Sequence, residues 1–413
     1  MYTLTPKREK RLLWLLALTQ FTIIMDFMVM MPLGPQIMHA FAITPAAFAT
    51  AVSVYSWCAG LSGLLAATYI DRFDRRQLLL VSYALFALSN LACALANSYE
   101  LLLAARAFAG ITGGVLASVI LAIVGDVIPI QRRGAAMGII MTAFSLAAIA
   151  GVPAGVLLGA HFSWAAPFFL LVVLSAMVWF GALEIIPNLN EHLGKRQPLS
   201  QVLPNLWRLL TNGRHMNAFV LTFTMMTSQM MVIPFISPVL VANHAVAPDH
   251  LAWIYMGGGA ATFFTARWVG RLTDRFGSKQ VFRITLIISS LPVLFLTHMP
   301  QMPFALILLF FPVFMVLVSS RIIPMQALMT TVPDGAHRGA FLSANSAVQA
   351  LGTGCGAWIG GLMLSSSSTG QILGYGTVGW VAVALLVVVL LWVSRVRAAG
   401  TAPAPVVTAA LAE

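Results

Sequence analysis

The sequence predicts an all-α membrane protein of twelve transmembrane helices, arranged as two pseudo-symmetric six-helix bundles. Three observations lead there: an apolar composition, a ladder of long hydrophobic runs, and a short charged motif that occurs twice. Of the 413 residues 60% are hydrophobic and 8% charged, which is too little polar surface to coat a water-soluble globule. The runs reach about 20 residues, the length an α-helix needs to cross a hydrocarbon core about 30 Å thick. Stretches such as 171–180 and 381–393 do not alternate apolar and polar residues, which excludes a membrane β-barrel.

The first span is expected at about 12–38, behind the basic cluster Lys7, Arg8, Lys10 and Arg11. Such a start resembles a signal peptide, but no convincing cleavage site follows and the run is long enough to cross, so an uncleaved helix is expected. The next five are placed at about 45–70, 77–97, 100–126, 135–159 and 165–186. The second six follow at about 217–242, 250–272, 280–298, 303–329, 339–364 and 371–394. Alternate connections carry Lys and Arg, at 71–76, 132–133, 195–214, 271–283 and 337–338, and the others carry none. The positive-inside rule then puts both termini on the cytoplasmic side of the inner (plasma) membrane, which requires an even number of spans.

The longest connection, 187–216, falls near the middle and is read as a cytoplasmic linker between an N-terminal bundle (1–186) and a C-terminal bundle (217–397). Leu199, Val202, Leu203, Leu206, Leu209 and Leu210 recur there at helical spacing, so a short interfacial helix is expected. The tail 398–413, rich in Ala, Pro and Val, is expected to be disordered. The formal charge of +11 sits at alternate ends of the spans instead of on one module, so it sets topology and does not indicate a nucleic-acid partner.

Repetition of specific residues links the halves. Thr68-Tyr-Ile-Asp71-Arg72-Phe73 and Arg271-Leu-Thr-Asp274-Arg275-Phe276 close the second and eighth spans, and Arg133-Gly134-Ala135 and Arg338-Gly339-Ala340 open the fifth and eleventh. Arg106 and Arg321 lie within the fourth and tenth, at a somewhat larger offset. Parallel six-helix repeats related by an axis along the membrane normal are one of the secondary-transporter architectures.

These residues resemble the major facilitator superfamily, over nearly the whole chain. Its hallmark loop reads Gly-x-x-x-Asp-Arg-x-Gly-Arg-Arg. Residues 270–279 keep both glycines, Gly270 and Gly277, whereas 67–76 keep Asp71, Arg72, Arg75 and Arg76 but place Ala67 and Asp74 where glycine is expected. The resemblance implies a gate in which Asp71 meets the start of the eleventh helix near Arg338, and Asp274 the start of the fifth near Arg133. A carboxylate set against the positive N-terminal end of a helix supplies the attraction. Gly151-Val-Pro153-Ala-Gly155 in the fifth span resembles the glycine and proline motif of the superfamily's antiporter branches, and the eleventh span has glycines there but no proline. Together with the Asp and Pro pattern of the first span, this likens the chain to the drug and metabolite proton antiporters, including the arabinose-efflux-like group, and implies export. Uptake by a metabolite uniporter or symporter, or lysolipid movement as in spinster-like proteins, are the other readings on the same fold.

Few ionisable residues fall at membrane depth, where each is costly and marks function by default. Asp26 in the first span and Arg106 in the fourth are the best proton-coupling pair, since a proton and a substrate can compete for the carboxylate. The seventh span carries Thr227, Ser228 and Gln229 where its counterpart of Asp26 is expected. Met25, Met28, Gln229, Met230 and Arg321 are candidate cavity residues, and the flexible thioethers suit varied apolar ligands. Arg321 could face an anionic ligand or bind backbone carbonyls. Cys58, Cys93 and Cys355 have no metal-binding spacing, five of the eight histidines fall in outer loops, and there is no phosphate-binding Gly-x-x-x-x-Gly-Lys-Ser/Thr run. The expectation is a monomeric transporter and not an enzyme, without metal or cofactor, whose partners are a small molecule, protons and membrane lipid.

Overall fold

The computed structural model describes residues 5–129, 132–187, 204, 207–334 and 338–399. Among them twelve segments cross the membrane. The N-terminal six are α1 (Pro6–Met30, continued by Gly34–Phe41), α2 (Pro45–Tyr69), α3 (Arg75–Ala94), α4 (Tyr99–Val127), α5 (Arg133–Leu146, continued by Val152–His161) and α6 (Ala166–Ile185). The C-terminal six are α7 (Gly213–Val232, continued by Ile236–His244), α8 (His250–Phe276), α9 (Ser278–Thr297), α10 (Phe304–Ser319, continued by Ile322–Thr331), α11 (Arg338–Leu362) and α12 (Tyr375–Trp392).

Local chemistry sets the helix starts. Thr44, Asp74, Ser98 and Asn212 accept hydrogen bonds from the first-turn amides of α2, α3, α4 and α7 at 3.2, 3.1, 3.2 and 3.0 Å, satisfying donors that have no helical partner. Proline breaks the interiors, because it lacks an N–H and its ring clashes with the preceding turn. α1 breaks before Pro35, α7 passes through a 3-10 turn at Ile233–Phe235 containing Pro234, and α10 breaks just before Pro324. In α5 the turn Ala147–Gly151, ahead of Pro153, is π-helical.

Two details differ from the sequence expectation. The twelfth helix begins at Tyr375 and not near 371, because Ser365–Ser366 and Ile372–Leu373 pair as a two-residue antiparallel hairpin. The interfacial helix expected within 187–216 lies mostly outside the described residues, as does the tail from 400 onward.

Ten of the twelve are long and apolar enough to cross a membrane on composition alone. The other two, α8 and α11, fall short of that criterion, and each packs one face against the opposite half. α11 runs along α2, and a Cβ built on Gly60 would lie 2.9 Å from the Ala347 carbonyl oxygen. α8 crosses the outer part of α5, where a Cβ on Gly259 would lie 2.7 Å from the Ala148 carbonyl oxygen. Neither site tolerates a side chain, which is how small residues bring membrane helices close.

The cores show which side is shut. One apolar cluster unites the outer parts of both halves, including Val29, Leu33, Phe48 and Val156 with Phe235, Val239, Leu251 and Ala357. The inner parts form two separate clusters, one around Leu16, Tyr83, Ile123 and Ala182, the other around Phe219, Met325, Phe341 and Val389. Leu64 reaches from the N-terminal half to the second of these. Side chains built on Gly138, Gly270 or Gly339, at the inner ends of α5, α8 and α11, would meet nothing within 4 Å. Taking the end of the bundle that bears both termini as the inner one, the two halves are therefore joined at the outer end and parted at the inner end.

Candidate functional site

Asp26 and Arg106 meet in the N-terminal half, where Arg106 Nη1 donates to Asp26 Oδ1 at 2.6 Å. Both side chains are fully buried. The pair makes few other bonds: Asp26 Oδ2 and Arg106 Nε and Nη2 have no hydrogen-bond partner among the described residues. The Tyr55 ring of α2 completes the surround, its centroid 4.3 Å from the guanidinium carbon, and Phe27 stacks with that ring at 5.7 Å. A cation over an aromatic face is stabilised most where water is excluded.

The sequence motif in α5 holds the helix that carries the acid. A side chain on Gly151 would meet Met25 and Phe21, one on Gly155 would overlap Val29, and one on Gly159 would overlap Leu33, so α5 lies flush against α1 on both sides of Asp26. The outer face of the same π-turn contacts Gly259 of α8. Rearrangement between the halves thus reaches the acid-bearing helix through one layer of packed backbone. Met25, expected in a cavity wall, is instead buried in the outer core against Gly151. Met28 and Met230 are half-buried and pack against that core.

Arg321 in the C-terminal half is also buried, at 1% exposure. With Ser228, Gln229, Val232 and Phe314 it lines a narrow cavity with room for about one water-sized group, about 10 Å³. Its Nε donates to the Val318 carbonyl at 3.1 Å, while its Nη1 and the Gln229 Oε1 have no partner among the described residues. The repeat offset set by Arg133 and Arg338 would place a counterpart of Arg106 at Phe311, so Arg321 lies deeper along its span.

At the inner ends the basic residues bind within their own half. Arg75 is buried, donating to Asp126 at 3.0 Å and to the Ile70 carbonyl at 2.6 Å, which makes it a brace between α3 and α4 in this state. Arg133 bonds the carbonyls of Ile128, at 3.0 Å, and Gly125. Arg72, Asp274, Arg275 and Arg338 are exposed, and the Asp71 side chain lies outside the described residues. Asp274 and Arg133 do not pair here.

Sequence reasoning missed Tyr55. No motif marks it, and a tyrosine in an apolar run carries no signal until the fold sets it over Arg106.

Comparison with known proteins follows the same outline. The chain matches the Major Facilitator Superfamily twice, over residues 16–217 and 218–413. It is 27% identical over 203 residues to a probable sugar efflux transporter of Mannheimia succiniciproducens, covering 48% of this chain and 49% of that protein. It is 25% identical over 224 residues to the uncharacterised MFS-type transporter YtbD of Bacillus subtilis, covering 54% and 55%. The matched stretch thus spans about half the length of these relatives. Among solved structures, a bacterial homolog of the human lysosomal transporter Spinster superposes with a TM-score of 0.77 at 15% identity, covering 96% of this chain and 98% of that one. A D-xylose-proton symporter superposes with a TM-score of 0.76 at 16% identity, covering 93% and 97%. At these identities the likeness is one of fold. With twelve spans in two repeats, and with both repeats matched, this multi-pass membrane protein belongs to the Major Facilitator Superfamily.

Proposed function

We propose that this protein is a proton-coupled exporter of small apolar or amphipathic compounds, working by alternating access between its two halves. The observation that carries the reading is the buried pair of Asp26 and Arg106, held by one hydrogen bond at 2.6 Å with three polar atoms left over. Two protonation states of the Asp26 carboxylate would define the switch. As an anion it needs Arg106. Once protonated it releases Arg106, and the helices α1 and α4 lose their electrostatic tie. Protonation from outside and displacement of the proton by cargo inside would then drive opposite halves of the cycle.

The α5 motif connects this switch to the gate, since α1, the π-turn at Ala147–Gly151 and α8 touch in sequence. π-turns often mark functional sites, where local unwinding is cheap. In the outward-open state the exposed Asp274 would close onto the start of α5, and Asp71 onto the start of α11, as the outer seam between the halves separates. Export has further support in relatives that carry sugar efflux in their names. Those names also favour a second reading of the cargo, a sugar, on the same coupling chemistry.

The test is a panel of sugars, amphipathic dyes and organic acids in proteoliposomes, with and without an imposed pH gradient. Gradient-driven movement of at least one compound, lost in Asp26→Asn, is expected. Coupling retained in that variant would contradict the assignment.

A further inference from the structure

The buried arginine of the C-terminal half has no part in the proton switch. We propose that Arg321, with Gln229 beside it, docks the carboxylate of a transported organic acid. This names the cargo class of the transporter proposed above and rests on that reading.

The C-terminal half lacks a counter-charge at this depth. Arg106 is buried with a carboxylate of its own chain, but nothing equivalent is available to Arg321. The stretch 217–397 holds three acidic residues, Asp249, Asp274 and Asp334. All three are exposed at helix ends. Within its own helix the guanidinium makes one bond, to Val318, and Nη1 has no partner among the described residues although it is buried. An isolated cation in a low-dielectric interior is among the costliest groups a fold can hold. An anion from outside the chain would remove that cost.

The cavity selects the anion. Its polar groups are Arg321, Gln229 and Ser228, and Val232, Val293 and Phe314 supply apolar wall. In this state the cavity has room for about one water-sized group, about 10 Å³, so a carboxylate would enter only as the surrounding side chains part, and a compact head needs the least widening. Guanidinium presents a planar fork that fits two carboxylate oxygens, a match a spherical halide cannot use. The offset between the paired loops at Asp71 and Asp274 sets Gln229 at the register of Asp26, so one half supplies its own carboxylate and the other would take it from the ligand.

Acetate is the probe. Thermal unfolding of the purified full chain in detergent would be followed in sodium acetate, sodium chloride and neutral acetamide, at matched ionic strength for the two salts. Acetate should raise the melting temperature above the chloride value, and acetamide should not. Arg321→Gln should weaken acetate binding by about tenfold or more, the value of a charge-assisted bond. Arg321→Lys should keep part of the protection, with the charge but not the fork, and Gln229→Ala should weaken it as well. Without added anion, Arg321→Gln should unfold at or above the parent's temperature, because it removes an uncompensated charge. Equal protection by chloride would make this a halide site and overturn the proposal. So would acetate protection that survives in Arg321→Gln, or an anion-free Arg321→Gln that unfolds well below the parent, since either makes the arginine structural. If Arg321→Gln does not accumulate, undiminished protection in both Arg321→Lys and Gln229→Ala overturns it instead. The measurement uses no gradient, so its failure leaves proton coupling at Asp26 standing, and failure of coupling leaves it intact.

Discussion

Removing the charge from Asp26 leaves Arg106 buried and alone, and the consequence can be sized. Breaking a buried ion pair by deleting one partner costs about 3–5 kcal/mol, because the remaining charge keeps its desolvation penalty. In Asp26→Asn the amide oxygen can still accept the bond that now spans 2.6 Å, and Tyr55 still lies 4.3 Å over the guanidinium, so the low end, about 3 kcal/mol, is expected. Adding Arg106→Met deletes the stranded cation with little change in bulk. The double variant should therefore return to within about 1 kcal/mol of the parent, giving a coupling energy of about 2 kcal/mol or more. Reversible unfolding in mixed detergent micelles, run as a double-mutant cycle, measures this. Additive losses would refute the reasoning, since they would mean that the two residues act independently.

Other consequences follow from contacts around the pair and between the halves. Tyr55→Leu should lose about 1–2 kcal/mol of desolvated cation–π contact in the same unfolding assay, on top of a packing loss; the cation–π part should vanish when Arg106→Met is already present, leaving the packing loss. Gly155→Val would force a branched side chain into Val29, and overpacking of this kind costs about 1–3 kcal/mol, read as a lowered melting temperature with slowed transport. Gly361→Val would press on Ala49 and the Pro45 carbonyl and open the outer end of the seam between α2 and α11, which should raise the reactivity of a cysteine at Ala357 toward reagents added outside. In a background without Cys58, Cys93 and Cys355, a cysteine at Ala340 should react readily with an impermeant reagent from the cytoplasmic side, and one at Ala357 should stay protected.

The sequence made the fold legible because lipid imposes simple rules on it. Hydrophobic length set the spans, basic loops set the expected sidedness, and the paired loops at Asp71 and Asp274 marked the repeat. Ten of the spans meet a simple criterion of length and apolarity, while α8 and α11 fall short of it and were placed with help from the alternation of basic loops. Asp26 and Arg106 stood out as rare charges at membrane depth. Other features depended on packing that one-dimensional spacing does not encode. The placement of Tyr55 over Arg106, the burial of Met25 against Gly151 and the turning of Arg75 inward to Asp126 arise from neighbours supplied by distant helices. The hairpin before α12 was hidden because Ser365–Ser366 and Ile372–Leu373 are too short to show a period. The parting of the halves at the terminus-bearing end was likewise not legible, because it depends on how α2, α5, α8 and α11 pack across the seam.

Competition between a proton and cargo for Asp26 can be measured directly. Cargo identified in the liposome panel would be added to the purified protein in weakly buffered detergent solution containing a pH-sensitive dye, at a pH where the carboxyl carries its proton. Competition predicts release of about one proton per chain on binding in the parent, and none in Asp26→Asn although the cargo still binds. Equal release from both proteins, or binding without release in the parent, would contradict it.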